Sequence, residues 1–269
     1  MSVFAGPEIR PPRISLLTSA ELITPEDERW YAGFYLENEG CEESGTYLIC
    51  PAADADPKEY SATGENEEYQ PWVLYSTDIC STYPSGRDFY GRAQRKLLAA
   101  EAAILEEQLW LGTIQTGNPF LTDSPTTVPL TSNDSWDALS VIEQEMSELS
   151  AAQGMIHVRP QVLGELLDHQ AIRREGNVYL TPMDNIVVPG RGYPGTGPAD
   201  QAVGATEWMY AHPSIVQVRR GPIIRVGEND LASQVIRGTN DRRVVVERAV
   251  HVALDTSCGV LAIEFNSVT

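Results

Sequence analysis

The chain has 269 residues, is 42% hydrophobic and carries a formal net charge of −19, with a pI near 4.5. That is enough apolar content for one large domain or two medium ones. The charge argues against a protein whose whole surface grips phosphate backbones, because such binding neutralises phosphates and releases counterions. The start, MSVFAGPEIRPPRISLL, lacks the basic residues and long apolar run of a secretory signal, and no stretch approaches about 18 apolar residues. The expectation is a soluble protein made in a cytoplasm, without a membrane partner.

In chain order, residues 1 to about 30 hold three prolines by position 12 and little hydrophobic pattern, which reads as an extended arm. Between Trp30 and Cys80, apolar runs (WYAGFYL, TYLIC, WVLYST) alternate with acidic, proline-containing stretches, the pattern of strands joined by a long excursion. From Met1 to Cys80 there are 16 acids against four bases, Arg10, Arg13, Arg29 and Lys58. The segment from Arg219 to Arg248 has the opposite sign, with seven arginines against four acids. Association between the two regions, within a subunit or between neighbours, is therefore electrostatically favoured.

The strongest helical period follows, from Asp88 to Leu111, with apolar faces at Ala93, Leu97, Ala100, Ile104 and at Leu98, Ala102, Leu105, Leu109, closed by Gly112. At about 1.5 Å per residue it spans roughly 36 Å. Its charges oppose the helix dipole: Arg92, Arg95 and Lys96 lie near the start, Glu106 and Glu107 near the end. Either these side chains stay in water, or acidic surfaces of neighbours or packaged DNA compensate them. A second amphipathic helix is marked by Trp136, Leu139, Ile142, Met146 and Leu149, with Asp134 or Ser135 as its cap. MIHV then reads as a buried strand, Arg159-Pro160 opens another helix, and the chain closes in strands such as VVVERAVHVAL and VLAIEF.

Chemistry-bearing motifs are sparse. Gly190-Arg191-Gly192-Tyr193-Pro194-Gly195 matches GxGxxG, but Pro194 and Pro198 prevent the helix a dinucleotide site requires, so a tightly turned surface loop is expected. His157, His169, His212 and His251 fall on different elements without metal-ligand spacing. Cys41, Cys50, Cys80 and Cys258 show no CxxC and are expected to be buried or incidental thiols. No nucleophile elbow or phosphate loop is present. No catalytic residue, cofactor or metal ligand is nominated, and the protein is not expected to be an enzyme.

The order of elements resembles the Hong Kong 97-type fold of tailed-bacteriophage major capsid proteins, an α+β fold. GMIHVRPQVLGELLDHQAIRREGNVYLTPMDNIVVPG is similar to that family's axial domain, and ERAVHVALDTSCGVLAIEF to its closing peripheral strands. The resemblance implies an N-terminal arm at 1–29, an extended loop with flanking strands at 30–80, and a spine helix with peripheral domain at 81–134. An axial domain at 135–212 and closing peripheral strands at 213–269 complete it. It further implies a self-assembling structural subunit of an icosahedral phage head, located in the virion capsid and assembled in the host cytoplasm around double-stranded DNA.

Partners on this reading are other copies in hexamers and pentamers, a separate scaffold, a portal and a decoration protein, with DNA met only at local basic patches. Candidate inter-subunit contacts are Arg10, Arg13, Lys58, Arg92, Arg95, Lys96, Arg219, Arg220, Arg242 and Arg243, joined by the arm, the extended loop and the 190–198 loop. The alternatives are an encapsulin-like bacterial compartment, another virion protein such as a decoration or tail component, or a cytoplasmic enzyme with an unrecognised site.

Overall fold

The computed structural model describes residues 8–37, 66–80, 88–129, 134–200, 206–227, 235–236 and 241–266. The arm ends in one helical turn, α1 (Leu16–Ser19), and a short strand, β1 (Glu21–Ile23). After a 3-10 turn, β2 (Phe34–Glu37) and β3 (Asn66–Tyr69) pair as an antiparallel ribbon, and β4 (Trp72–Cys80) follows. The long helix α2 (Phe89–Leu111) starts where the Asp88 carboxylate accepts the Gly91 N–H, and stops at Gly112, whose φ of 64° a glycine adopts without strain.

The second half of the chain opens with β5 (Thr126–Val128) and α3 (Ser135–Leu149), the latter capped by Asp134. It continues with β6 (Met155–Val158), α4 (Pro160–Asp168), β7 (Arg173–Glu175), β8 (Val178–Leu180) and β9 (Ile186–Pro189). The closing strands are β10 (Thr206–His212), β11 (Gln217–Arg220), β12 (Ile224–Val226), β13 (Val235–Ile236), β14 (Asp241–Ala253) and β15 (Leu261–Asn266).

Two sheets organise these elements. The first runs β1-β11-β14-β12, with β13 also on β14 and β4 along the other edge of β14. The second runs β5-β15-β10-β6-β9-β8-β7, and its β6 and β9 are parallel because α4 carries the chain back between them. Alternation sets the layers. Leu74 and Trp72 of β4 and Val244, Val246 and Val250 of β14 turn inward with Ala93 and Leu97 of α2. On one face of the second sheet, Ile156, Val158, Met209 and Ile263 pack with Leu139, Ile142 and Met146 of α3 and Val162 and Leu166 of α4. Its other face meets the C-terminal half of α2 through Tyr210, Leu105, Leu109 and Trp110.

Two expectations are corrected here. The glycine-rich 190–198 stretch is largely packed inside: Gly190, Tyr193, Gly195 and Gly197 are buried between α2 and β10, and Arg191 alone of the stretch is exposed. Its glycines serve close approach, since a Cβ on Gly192 would lie 1.9 Å from the Ala103 carbonyl oxygen and one on Gly197 would strike the Trp208 ring. Cys258 is disulfide-bonded, not an incidental thiol, because pairing depends on proximity in the fold and not on sequence spacing. An unreduced, fully denatured chain should therefore titrate no more than two of its four cysteines with a thiol reagent, and four after reduction.

Candidate assembly surface

The ten nominated cations separate into two groups. Arg92 and Lys96 are both used inside the chain, reaching the buried Asp78 of β4 at 3.3 and 2.9 Å. Arg220 lies 2.8 Å from Glu101 of α2, and the same carboxylate, 1% exposed, also takes Arg248 at 3.0 Å. Arg219 lays its guanidinium 4.6 Å from the centroid of the Phe34 ring, and burial holds its pKa below the ordinary arginine value. Two of the reversed helix charges, Arg92 and Lys96, are thus compensated by Asp78 within the subunit.

Five of the others are exposed or half-buried. Arg10, beside Glu8 at 3.6 Å, and Arg13 are exposed on the arm, and Arg243 is exposed on β14. Arg95 and Arg242 are half-buried. Lys58 lies outside the described residues.

Sequence reasoning missed an apolar sheet face. Odd-numbered residues of β4 and β14 point away from α2, and there Val73, Tyr75 and Ile79 are 55%, 67% and 57% exposed. Ile224 and Val226 of β12, in register with Glu247 and Val245, extend the apolar face. A groove of about 190 Å³ opens between them, walled by Tyr31, Trp72, Val73 and Ile224 and edged by Glu247. Contiguous exposed apolar surface of this kind marks an interaction site. The readable signal was WVLYSTDIC itself, a strand apolar on both faces and so in need of cover on both.

At one end of that same outward face, odd-numbered His251 and its register partner Arg219 meet the ribbon β2–β3, which is fastened there by buried aromatics. His251, in register with Arg219, makes edge contacts with Phe34 at 4.7 Å and Tyr69 at 4.8 Å, and Tyr69 Oη donates to the Leu254 carbonyl at 2.7 Å. Desolvation first, and the Arg219 charge second, push the His251 pKa down to about 3 from 6.5. Since the unfolded chain binds this proton and the folded chain does not, the stability is present above pH 6.5 and is lost as pH falls toward 3. At about 1.4 kcal/mol per unit, roughly 2 kcal/mol should disappear between pH 7 and pH 5. Urea midpoints should show His251→Phe less acid-sensitive than the wild type by that amount.

The last constellation is internal. The Glu106 carboxylate accepts the Leu16 N–H at 3.0 Å and the Gly192 N–H at 2.9 Å, joining arm, helix and glycine-rich loop. Its pKa is raised, chiefly by desolvation, with these backbone bonds acting the other way. Arg159 reaches Glu207 at 2.6 Å beside Gly195. Among the described residues, no group of three or more His, Cys, Asp or Glu side chains is placed to hold a metal ion, and no helix is long and apolar enough to cross a membrane.

No protein-family model and no curated protein matches the chain. Solved structures do match it over nearly its whole length. The capsid of a native GTA particle is 10% identical with a TM-score of 0.58, covering 99% of this chain and 95% of that one. The holo-SrpI encapsulin complex of Synechococcus elongatus PCC 7942 gives 10% identity and 0.59, covering 99% and 94%. A structure of Microbacterium phage Oxtober96 gives 11% and 0.57, covering 98% and 94%. The chain has the Hong Kong 97-type α+β fold, the architecture of shell-forming proteins.

Proposed function

We propose that this chain is a structural, non-catalytic subunit of an icosahedral phage head, self-assembling in the host cytoplasm into the shell that encloses double-stranded DNA. The observation that carries the reading is the likeness to shell proteins over essentially the full chain. The outward face of β4, β14 and β12 supports it, because an apolar sheet face of this size is stable in water only under a neighbour.

On this reading the division into arm (1–29), extended loop (30–80), spine helix and peripheral domain (81–134), axial domain (135–212) and closing strands (213–269) describes the shell subunit. Arg10, Arg13, Lys58, Arg95, Arg242 and Arg243 are the cations proposed to meet neighbours or local DNA, while Arg92, Lys96, Arg219 and Arg220 serve the subunit's own packing. A separate scaffold, a portal and a decoration protein are the further partners.

The likeness to the encapsulin complex favours a second reading, a bacterial compartment shell. Electron microscopy of the purified chain, alone and with candidate scaffold, should show closed particles of megadalton mass, and a persistent small monomer in both would overturn both readings. Particles isolated from their native source distinguish the two: nuclease-resistant double-stranded DNA inside supports the phage head, and a packaged protein without DNA supports the compartment.

A further inference from the structure

A continuous line of polar side chains runs through the interior from the glycine-rich loop to the turn before β11. The Tyr193 hydroxyl lies 2.6 Å from His157 Nδ1, His157 Nε2 lies 2.9 Å from His212 Nε2, and His212 Nδ1 lies 2.9 Å from Ser214 Oγ. Both histidines are fully buried. They meet because β6 and β10 pair with His157 opposite Tyr210, which places His212 diagonally across on the same face, the rings stacked at 5.0 Å.

Proton counting fixes the arrangement. Ser214 Oγ donates to the Asp255 carbonyl at 3.5 Å, so it accepts from His212 Nδ1–H. His212 Nε2 is then the acceptor of His157 Nε2–H, and His157 Nδ1 accepts the Tyr193 hydroxyl. Every ring nitrogen along the line is then paired. One more proton on His212 Nε2 sets two N–H groups against each other across 2.9 Å, and one on His157 Nδ1 turns the Tyr193 hydroxyl from donor to acceptor and leaves a cation in a fully buried site. The reversed orientation pairs the same ring nitrogens but gives up the Ser214 bond to the Asp255 carbonyl.

We infer that the His157–His212 pair is a proton-operated lock on the 190–198 loop, holding it against α2 and β10 while both rings are neutral and releasing it when the pair takes up a proton. Tyr193 is the loop's side of the lock, and it also stacks on Trp110 at 4.9 Å. Trp110 Nε1–H and the Tyr210 hydroxyl both donate to the Thr196 carbonyl at 3.1 Å, and these bonds must break together with the Tyr193 contact for the turn to open. The groups facing the pair are Tyr193 from the loop, Tyr210 from β10, Ser214 from the turn and, beyond Tyr193, Glu106 of α2. None supplies a counter-charge in contact with either ring. Burial accordingly drives both pKa values down, that of His212 to about 3, with the His157 ring lowered further by its partner.

The sign follows from the unfolded value of 6.5: the lock is intact above it and weakens as pH falls. Hydrogen exchange of the full-length protein tests this, with amides of 190–198 compared with those of α3 after correction for intrinsic rates. The loop's opening constant should rise about tenfold per pH unit below 6.5 for each proton taken up, roughly a hundredfold by pH 4.5, ahead of α3. His157→Gln/His212→Gln should make the loop's opening pH-independent.

An unchanged acid step in that double variant would assign the effect to Glu106 and overturn the lock, as would simultaneous loss of loop and α3 protection in the wild type. Should the variant not fold, 15N-histidine spectra of the wild-type chain decide. One bridging proton shared by two neutral rings at pH 5 supports the lock, and a cationic ring in the closed state refutes it.

Discussion

Glu101→Ala is expected to cost about 3–5 kcal/mol, the range for removing one partner of a buried ion pair. Glu101 is 1% exposed and is held by two arginines, one from each of two adjacent strands: Arg220 of β11 through Nε at 3.0 Å and Nη2 at 2.8 Å, and Arg248 of β14 through Nη1 at 3.0 Å to both oxygens. Removal leaves two guanidinium groups, with side chains 25% and 13% exposed, facing each other beneath α2. They cannot escape their own charge, because arginine stays protonated.

The cost should appear as a lowered urea midpoint with unchanged slope. Replacing all three residues together, as Glu101→Leu with Arg220→Met and Arg248→Met, should recover most of it, since apolar groups of similar volume often equal a buried ionic cluster. Recovery would show that the triad aligns α2 with the sheet more than it stabilises it. If Glu101→Ala costs under about 1 kcal/mol, the two arginines are hydrated and the triad is an ordinary surface pair.

This triad also shows where sequence reading stops. Glu101 stands 119 residues from Arg220 and 147 from Arg248, and no local pattern announces either bond. What is local was legible. The period of apolar residues and Gly112 mark the long helix, Asp134 marks the start of α3, Pro160 that of α4, and MIHV its strand. The opposite sign of the two chain regions was legible as well, although three arginines of the basic one, Arg219, Arg220 and Arg248, turn out to serve α2 and Phe34 inside the subunit.

Pairings set by register were not legible. His157 and His212 are joined by β6 and β10 alone, and Arg219 and His251 by β11 and β14. Composition named the 190–198 stretch as a turn, but glycine serves tight burial as readily as exposure, and only the neighbours decide which.

Gly192 offers the sharpest test of that burial. In Gly192→Ala the new methyl would stand 1.9 Å from the Ala103 carbonyl oxygen and 2.9 Å from its Cα, atoms of the long helix that no rotamer change can move. The loop must lift instead. Lifting breaks the Gly192 N–H bond to Glu106 and leaves that buried carboxylate with one fewer donor, separates Tyr193 from His157, and opens the Trp110 stack. Overpacking of 1–3 kcal/mol together with a weakened buried acceptor gives an expected loss of about 4 kcal/mol. The same lift slackens the hold of Glu106 on the arm, whose Leu16 N–H binds the other carboxylate oxygen.

A matched control lies in α4, where Gly164 is exposed and nothing lies within 4 Å of its Cβ position. Gly164→Ala should stabilise the chain by up to about 1 kcal/mol through helix propensity alone. Thermal melts and particle yields of the two variants, read side by side, separate the loss of a methyl-sized clearance from any general effect of replacing glycine. If Gly192→Ala melts with the wild type and assembles normally, the loop does not need its contact with α2, and the approach of Gly192 to Ala103 carries no structural weight.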